Sequence, residues 1–336
     1  MKELLEKLTG RRVLVIGDVM LDHYIWGDAS RISPEAPVPV VDVTKDSFAA
    51  GGAANVALNI ASLGGSAVLA GWTGKDEAGV KLSEILTAAK VERCNGFVSE
   101  NLPTIRKTRV MVRNQQLCRI DREADAESYR LDGKEALDTI QSAVSDCAAV
   151  LLSDYGKGAV RDGIVEAVLR KAEQQGVPVA LDPKPRRRLR FSGIDVITPN
   201  RTEALELAGF SSQHRGAFPY EEVCAQIWEN YQPGSLVITL GAEGILLSTE
   251  GRVDQIIPTY ARQVFDVSGA GDTVIASLLL ALSAGADLVT AARLANLAAG
   301  VVVAKVGTAT VNSEEILDFL SRHPDRDFVQ GAESSL

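Results

Sequence analysis

Short apolar runs alternate with longer stretches of helical character from about residue 130 onward. Each run has the length of a buried strand. The runs are Ala148–Ser153, Val177–Asp182, Val196–Pro199, Leu236–Leu240 and Gly244–Ser248. Repeated alternation of strands and helices builds a mainly parallel sheet with helices on both faces. The pattern therefore predicts a three-layer α/β fold.

The N-terminal part of the chain contains one more buried strand and a region of different character. Val13–Asp18 is an apolar run, and Asp18 ends it at the edge where open α/β sheets bind ligands. Prolines between residues 24 and 46 suit an edge strand, and a second extended stretch, Thr104–Asp121, could pair with it. We expect a small β lid formed by about 22–46 and 100–121.

Apolar helices are predicted at both ends of the chain. Glycines open and close a helical stretch over 51–64, and similar stretches occur at Val274–Ala284, Ala291–Val303 and Glu314–Leu320. We expect a single domain over 1–320, followed by a frayed polar tail over 321–336.

Composition narrows the class of protein further. The chain has 336 residues, of which 46% are hydrophobic and 24% charged, enough for a large buried core. Its four cysteines and three histidines have no metal-ligand spacing, and it has neither a signal-peptide core nor an apolar window of membrane-spanning length. We therefore expect a cytoplasmic protein without disulfides, structural zinc or a membrane anchor.

The charge of the chain also bears on its partners. A net charge of −9 argues against a nucleic-acid partner, although it leaves room for a local basic pocket. The basic run Lys184–Arg190 is interpreted as a pocket rim or a solvated face.

A glycine-rich turn, Asp266–Asp272, precedes the apolar helix Val274–Ala284 and carries the main chemical signal. Two glycines let the backbone approach a ligand, and the free amides of a helix start bind anions. Asp272 beside them can take a hydroxyl proton, as phosphoryl transfer to an alcohol requires. The alternative is an ordinary helix start capped by Asp272.

Two other phosphate-binding motifs do not fit the sequence. Val274 occupies the third glycine position of a dinucleotide fingerprint that would begin at Gly269. None of the Gly-Lys pairs is followed by serine or threonine, as a P-loop requires. A kinase of this sequence would therefore not be a P-loop kinase.

Four ordered motifs resemble the ribokinase-like (PfkB) family of sugar kinases over nearly the whole chain. They are Gly51–Ala57, Thr198–Glu203, Thr239–Gly244 and Asp266–Asp272. Within that family, three further segments resemble the D-glycero-D-manno-heptose-7-phosphate kinase group. These segments are Arg31–Val40, Leu152–Gly158 and Asp182–Lys184.

The resemblance implies ATP-dependent phosphorylation of the anomeric hydroxyl of heptose 7-phosphate, giving the 1,7-bisphosphate used for the ADP-heptose of lipopolysaccharide. Some members are fused to a nucleotidyltransferase, and we expect the kinase alone here. One alternative is a PfkB kinase acting on another sugar, sugar phosphate or nucleoside. Another is a non-catalytic nucleotide- or sugar-binding regulator.

The resemblance also assigns roles at the phosphoryl-transfer site. Asp272 would be the catalytic base, and the amides of Gly269, Ala270 and Gly271 would face the transferring phosphoryl group. Asn200 and Glu203 would hold Mg²⁺ through water, since magnesium keeps much of its hydration. For this pair the alternative is a helix N-cap with an acid in the first turn.

The nucleotide side is implied in the same way. Thr239, Gly241 and Gly244 would approach the ATP phosphates, unless they form an ordinary tight turn. Asn296 would lie near adenine, unless backbone groups satisfy it. Asp266, with the backbone around Val302 and Gly307, would form a site for a monovalent cation such as K⁺.

The sugar side uses residues from both ends of the predicted lid. Asp18 and Asp22 would accept hydrogen bonds from sugar hydroxyls, the alternative being that they cap turns. Gly51, Gly52 and Asn55 would line the same cleft.

A substrate that carries a phosphate also needs cations. Arg31, Lys157 and Lys184 are the candidates, the alternative being that each is an ordinary solvated side chain. Arg106 and Arg109, predicted on opposite faces of the lid, are further candidates. Exposed lid edges and apolar residues such as Trp26 and Val40 predict a homodimer through the lid, which would close over the site and exclude water.

Overall fold

The computed structural model describes residues 1–113, 115–185, 189–211, 216–261, 264–305 and 307–323. Part of the predicted basic run, 186–188, and most of the predicted tail, 324–336, lie outside these residues. Among the helices that are described, none has the length and apolarity needed to cross a bilayer.

The central sheet has nine strands in the order β15-β14-β13-β12-β11-β10-β1-β4-β6. All neighbouring strands pair in parallel from β6 to β13, and β14 and β15 complete the sheet in antiparallel pairing. The strands are β1 (Arg12–Gly17), β4 (Ser66–Ala70), β6 (Glu92–Arg93), β10 (Ala149–Ser153), β11 (Val179–Asp182), β12 (Val196–Ile197), β13 (Ser235–Thr239), β14 (Ile245–Thr249) and β15 (Arg252–Ile257). The predicted α/β fold with a mainly parallel sheet is confirmed.

Helices cover both faces of this sheet, because successive side chains of a strand point to opposite sides. In β1, Val13 and Val15 belong to one apolar core, whereas Leu14 and Ile16 belong to the other. The first core includes residues of α1 (Lys2–Leu8), α2 (Ala53–Ser62), α3 (Glu77–Ala88), α8 (Ala270–Ser283), α9 (Leu288–Val302) and α10 (Ser313–Ser321). The second includes residues of α4 (Lys134–Ser145), α5 (Asp162–Gln175), α6 (Arg201–Leu207) and α7 (Tyr220–Tyr231).

A second sheet of four strands carries the region predicted as the lid over 22–46 and 100–121. Its order is β3-β2-β8-β9, so that β3 and β9 are the edges. The strands are β2 (Val19–Ile32), β3 (Pro39–Gly52), β8 (Ile105–Val112) and β9 (Gln115–Arg122). The prolines fall in the turn between β2 and β3 and at the first residue of edge strand β3, where a missing N–H is tolerated. A short parallel pair, β5 (Thr73–Gly74) and β7 (Val98–Ser99), lies apart from both sheets.

The helix predicted over 51–64 begins two residues later than its glycines suggested. Gly51 and Gly52 end β3, where they pair with Met20 and Val19 of β2. Gly52 has φ +57, and a Cβ there would lie 2.3 Å from the carbonyl oxygen of Asp18. The glycine therefore allows the lid strand to turn directly into α2 against the end of β1.

Candidate active site

The candidate site lies where neighbouring parallel strands end, because their carboxyl ends meet at one edge of the sheet. The polar residues at or just after these ends are Asp18, Asp154, Tyr155, Asp182, Asn200 and Thr239. The first turns of α2 and α8 meet at the same edge, where Asn55 of α2 contacts Asp272 of α8.

The start of α8 is shaped by Gly269, which has φ +80. A Cβ at this position would lie 2.9 Å from Nδ2 of Asn55, so glycine permits the close approach of α8 to α2. The amide of Ala270 donates to the carbonyl of Val267 at 3.2 Å and therefore already has a partner. Gly269 and Gly271 both line the cavity beside Asp272.

Asp272 is a buried carboxylate, with 4% of its surface exposed. Its Oδ1 accepts a hydrogen bond from the hydroxyl of Tyr155, and its Oδ2 accepts one from Nδ2 of Asn55 at 2.6 Å. Burial raises the pKa of Asp272 from 3.8 to about 6, although these two hydrogen bonds oppose the shift. A carboxylate with this pKa is ionised at neutral pH and is basic enough to assist removal of a hydroxyl proton.

A cavity of about 220 Å³ opens next to Asp272. Its lining brings together residues predicted for catalysis, metal binding and nucleotide binding, which are Asn200, Glu203, Thr239, Gly269 and Gly271. Lys184, predicted to bind the substrate phosphate, lines it as well. The arrangement places helix-start backbone, a lysine and a carboxylate base around one small space. Such a set can stabilise a transferring phosphoryl group.

Asn200 and Glu203 form a capping box at the start of α6, as the structural alternative for this pair supposed. Asn200 Oδ1 accepts bonds from the amides of Thr202 and Glu203, and Glu203 Oε2 accepts one from the amide of Asn200, each at 3.0 Å. Glu203 Oε1 lies 2.9 Å from Nζ of Lys184. Because these oxygens already have partners, the pair suits a magnesium ion that keeps its water shell. Their role in metal binding stays a prediction.

The residues predicted for ATP lie around the β13–β14 turn and in α9. Gly241 and Gly244 flank the turn with φ values of +64 and +109. Asn296 is 3% exposed, and its Nδ2 donates to the carbonyl of Pro258 at 2.8 Å. The backbone thus satisfies the amide nitrogen of Asn296, and contacts of these residues with ATP remain predictions.

The residues predicted for the sugar lie between the lid and the sheet edge. Asp22 pairs with Arg109 across β2 and β8, with Oδ1 and Nη1 2.5 Å apart. Gly51 faces this carboxylate, since a Cβ on it would lie 2.8 Å from Oδ2 of Asp22. Asp18 is 2% exposed and accepts bonds from three backbone amides, so its geometry corresponds to the turn-capping alternative.

The three cations predicted for a substrate phosphate lie on three different elements. Arg31 is in the outer half of β2, where its side chain is 67% exposed and pairs with Asp42. Lys157 follows β10 and lies 2.6 Å from Glu123. Lys184 lines the small cavity together with the predicted magnesium and ATP residues. Each cation has its own carboxylate partner, and phosphate binding stays a prediction for each.

Asp266, predicted as part of a cation site, accepts bonds from two amides. Its Oδ1 accepts from Ser268 at 2.9 Å, and its Oδ2 accepts from Gly307 at 3.1 Å. Burial raises the pKa of Asp266, but these hydrogen bonds outweigh it and lower the pKa below its usual value. The hydrogen bond between Asp266 and Gly307 joins the two segments predicted to hold a monovalent cation. Cation binding at this place remains a prediction.

Sequence reasoning missed three titratable residues of the site, Asp154, Tyr155 and Asp182. Tyr155 stands inside the Leu152–Gly158 segment, from which only the lysine was considered. Burial raises the pKa of Asp182 well above its usual value, and the negative charges of Glu203 and Asp272 raise it further. These residues end or follow apolar runs that the sequence predicts as parallel strands, and that position alone could have marked them as candidates for the site.

Comparison with known proteins agrees with this geometry. Residues 11–315 match the family described as "pfkB family carbohydrate kinase". The chain is similar to the bifunctional protein HldE of Shewanella sediminis, with 44% identity over 338 residues that cover 100% of this chain and 69% of the relative. It is also 42% identical to the bifunctional protein HldE of Desulfatibacillum aliphaticivorans, over 93% of this chain and 64% of that protein. The chain thus spans about two thirds of the length of these relatives.

Solved structures share the fold at lower sequence identity. Ribokinase of Arabidopsis thaliana, complexed with ribose and ATP, superposes with a TM-score of 0.73 at 22% identity, covering 93% of this chain and 99% of ribokinase. Phosphofructokinase-2 of Escherichia coli, in complex with potassium, gives a TM-score of 0.73 at 19% identity, covering 94% and 99% of the two chains. The chain therefore belongs to the pfkB family of carbohydrate kinases and is an ATP-dependent sugar kinase.

Proposed function

We propose that the protein transfers the γ-phosphoryl group of ATP to the anomeric hydroxyl of D-glycero-D-manno-heptose 7-phosphate. The observation that supports the proposal is the buried carboxylate of Asp272, which lines the small cavity together with the start of α8 and Lys184. The similarity to bifunctional HldE proteins over the whole chain supports the heptose substrate.

The sugar side supplies positive charge for a phosphorylated substrate. Burial lowers the pKa of Lys107 in β8, and the nearby positive charge of Lys157 lowers it further. Asp121 and Glu123 offset part of the repulsion between these two ammonium groups, and a bound phosphate dianion would offset more of it. Lys157 lies two residues after Tyr155, whose hydroxyl contacts the base. The phosphate end of the sugar is therefore assigned to the side of the cleft that holds Lys107 and Lys157.

The proposed enzyme would also use two kinds of metal ion and a second subunit. Mg²⁺ would be held through water by Asn200 and Glu203 and would neutralise charge on the ATP phosphates. A monovalent cation such as K⁺ would lie by Asp266. The working form would be a cytoplasmic homodimer that pairs through the lid, without nucleic-acid or membrane partners.

The decisive experiment is an ADP-release assay with Mg²⁺ and ATP on four acceptors. These are D-glycero-D-manno-heptose 7-phosphate, fructose 6-phosphate, ribose and adenosine. Preference for the heptose, with a new anomeric phosphate seen by NMR, is the expected result. Preference for another acceptor would retain the kinase and refute the substrate, whereas silence toward all four would favour the binding-protein alternative.

Lys157→Met tests the phosphate end of the substrate. Loss of a charged hydrogen bond should raise KM for the phosphosugar about tenfold or more and leave KM for ATP unchanged. Lys75→Met is the control, because Lys75 is also ion-paired, with Glu100 at 2.7 Å, but does not line the cavity beside Asp272. An equal loss with an unphosphorylated sugar would contradict this role of Lys157.

A further inference from the structure

Both carboxylate oxygens of Asp272 accept a side-chain hydrogen bond. Tyr155 donates to Oδ1, and Asn55 donates to Oδ2 at 2.6 Å. The carboxylate is thereby held in one orientation before any substrate arrives. Tyr155 has no assigned part in the chemistry described so far.

Asp18 fixes the loop that carries Tyr155. Its Oδ2 accepts bonds from the amides of Tyr155 and Lys157, and its Oδ1 accepts one from the amide of Ala159, all at 2.9 Å. Hydrogen bonds to an ionised acceptor are the stronger kind, and Asp18 is buried from water that would compete for them. One carboxylate at the end of β1 therefore sets the position of the tyrosine.

We propose that Tyr155 is a positioning residue that orients Asp272 and favours its ionised form, and that Asp18 acts through Tyr155 by holding its loop. The inference rests on the proposed kinase function. A donor to the ionised carboxylate lowers the pKa of Asp272, against the burial that raises it to about 6. Burial and the charge of Asp272 raise the pKa of Tyr155 well above 10.0, so that the phenol keeps the proton that it donates.

Several other charged groups face this pair, and the Tyr155→Phe substitution removes none of them. They are Asp22 from β2, Asp154 after β10, Asp182 and Lys184 at the end of β11, Glu203 from α6 and Arg109 from β8. Asp22 raises the pKa of Asp272, and Arg109 is paired with Asp22. The effect of a Tyr155 variant on the pKa of Asp272 can therefore be assigned to the lost hydroxyl.

Tyr155→Phe is the first test, with the pKa of Asp272 measured by ¹³C NMR in the free protein labelled at aspartate carboxyl carbons. The Asp272 signal is identified by its absence from Asp272→Asn. We expect its pKa to rise by about one unit, the usual effect of one hydrogen bond to a charged group. The acidic limb of kcat/KM against pH should move upward equally, so that activity falls severalfold near pH 6.5 and recovers near pH 8.5.

Tyr129→Phe is the matched control, because it also removes a partly buried tyrosine hydroxyl, which donates to the carbonyl of Pro103 at 2.8 Å. This variant should keep the wild-type pKa of Asp272 and the wild-type pH profile. An unchanged pKa of Asp272 in Tyr155→Phe, or an acidic limb that does not move, would overturn the proposal.

Asp18→Asn tests the second step. If Asp18 acts through the loop, this variant should shift the acidic limb upward, and combining it with Tyr155→Phe should add little. If Asp18 binds the sugar directly, KM for the sugar should rise while the limb stays in place, and that result would overturn the role of Asp18. Wild-type protein inactive on every sugar would refute the kinase proposal, whereas the NMR titration would still decide the role of Tyr155.

Discussion

At the scale of single residues, the site concentrates negative charge where water is scarce. Asp272 is 4% exposed and near the carboxylates of Asp22 and Asp182. Such an environment makes the base stronger and also makes its ionised form costly in the folded protein. Activity and stability therefore oppose each other at this position.

Asp272→Asn should separate the two effects. The rate constant kcat should fall by roughly 10²–10⁴, the usual contribution of a positioned base, while substrate binding changes little. The folded pKa of about 6 lies above the usual 3.8, so wild-type stability falls as pH rises between these values. At pH 7 the variant should be more stable by up to about 3 kcal/mol.

Urea unfolding at pH 5 and pH 8 checks the second expectation of this prediction. The gain in stability should be larger at pH 8, because the wild-type carboxylate is fully ionised there. A variant with unchanged kcat, or with the same stability difference at both pH values, would contradict this account of Asp272.

The residue types of the site were more predictable than their contacts. Asp272 and the glycines before it could be identified from spacing alone. The hydrogen bond between Asn55 and Asp272 joins residues 217 positions apart in the chain, and no local pattern predicts such a pairing. Tyr155 was missed for the same reason, since its partner lies on α8 and its loop is held by Asp18.

At the scale of elements, the junction of β3 and α2 depends on a glycine. Gly52 has φ +57, which disfavours other residues, and a Cβ there would lie 2.3 Å from a backbone carbonyl. Gly10 offers a matched control, because its φ is +74 and a Cβ there would have no neighbour within 4 Å.

Gly52→Ala should therefore cost more stability than Gly10→Ala. We expect about 1 kcal/mol for the unfavourable φ at Gly10 and at least 2 kcal/mol more at Gly52, where backbone must move. The free energies of unfolding from urea titrations provide the comparison. Equal costs would mean that the end of β1 yields easily to the added methyl group.

Element prediction identified most apolar runs of the central sheet but missed β4, although Ala67–Ala70 are buried, and it missed β6 and β15. The runs at 148–153, 177–182 and 236–240 correspond to β10, β11 and β13, whose pattern reflects burial on both faces. β6 has only two residues, and β15 alternates exposed and half-buried positions at the sheet edge before its buried last residue. Neither gives an apolar run, because little of either strand is covered on both faces.

At the scale of the whole molecule, the lid exposes apolar side chains that the sugar-kinase chemistry does not need. Ile32, Val43, Leu117 and Ile120 lie on its strands and are between 46% and 64% exposed. Burying them against a second lid would remove apolar surface from water and cover the edges β3 and β9.

The division of the chain into one domain and a tail remains a prediction.

Light scattering at micromolar concentration should give a mass near twice 35.8 kDa for the wild-type protein. Ile120→Glu should shift the mass toward 35.8 kDa, because a charge would then be buried between the lids. Val98→Glu is the control, since Val98 is 54% exposed but lies outside the lid. A monomeric wild-type protein would refute the homodimer.

The lid joins the core without a flexible linker. β1 passes through Asp18 straight into β2, and β3 passes through Gly52 straight into α2, where the amide of Ala53 donates to the carbonyl of Asp18 at 3.0 Å. The 14-residue strands β2 and β3 join the core at these two crossings, so any rotation of the lid would have them as its pivot. This pivot lies beside Asp272. Because the two strands are long, a small rotation at the pivot would become a large movement at the outer end of the lid. A partner that presses on the outer end of the lid would therefore also move the residues around the reacting hydroxyl.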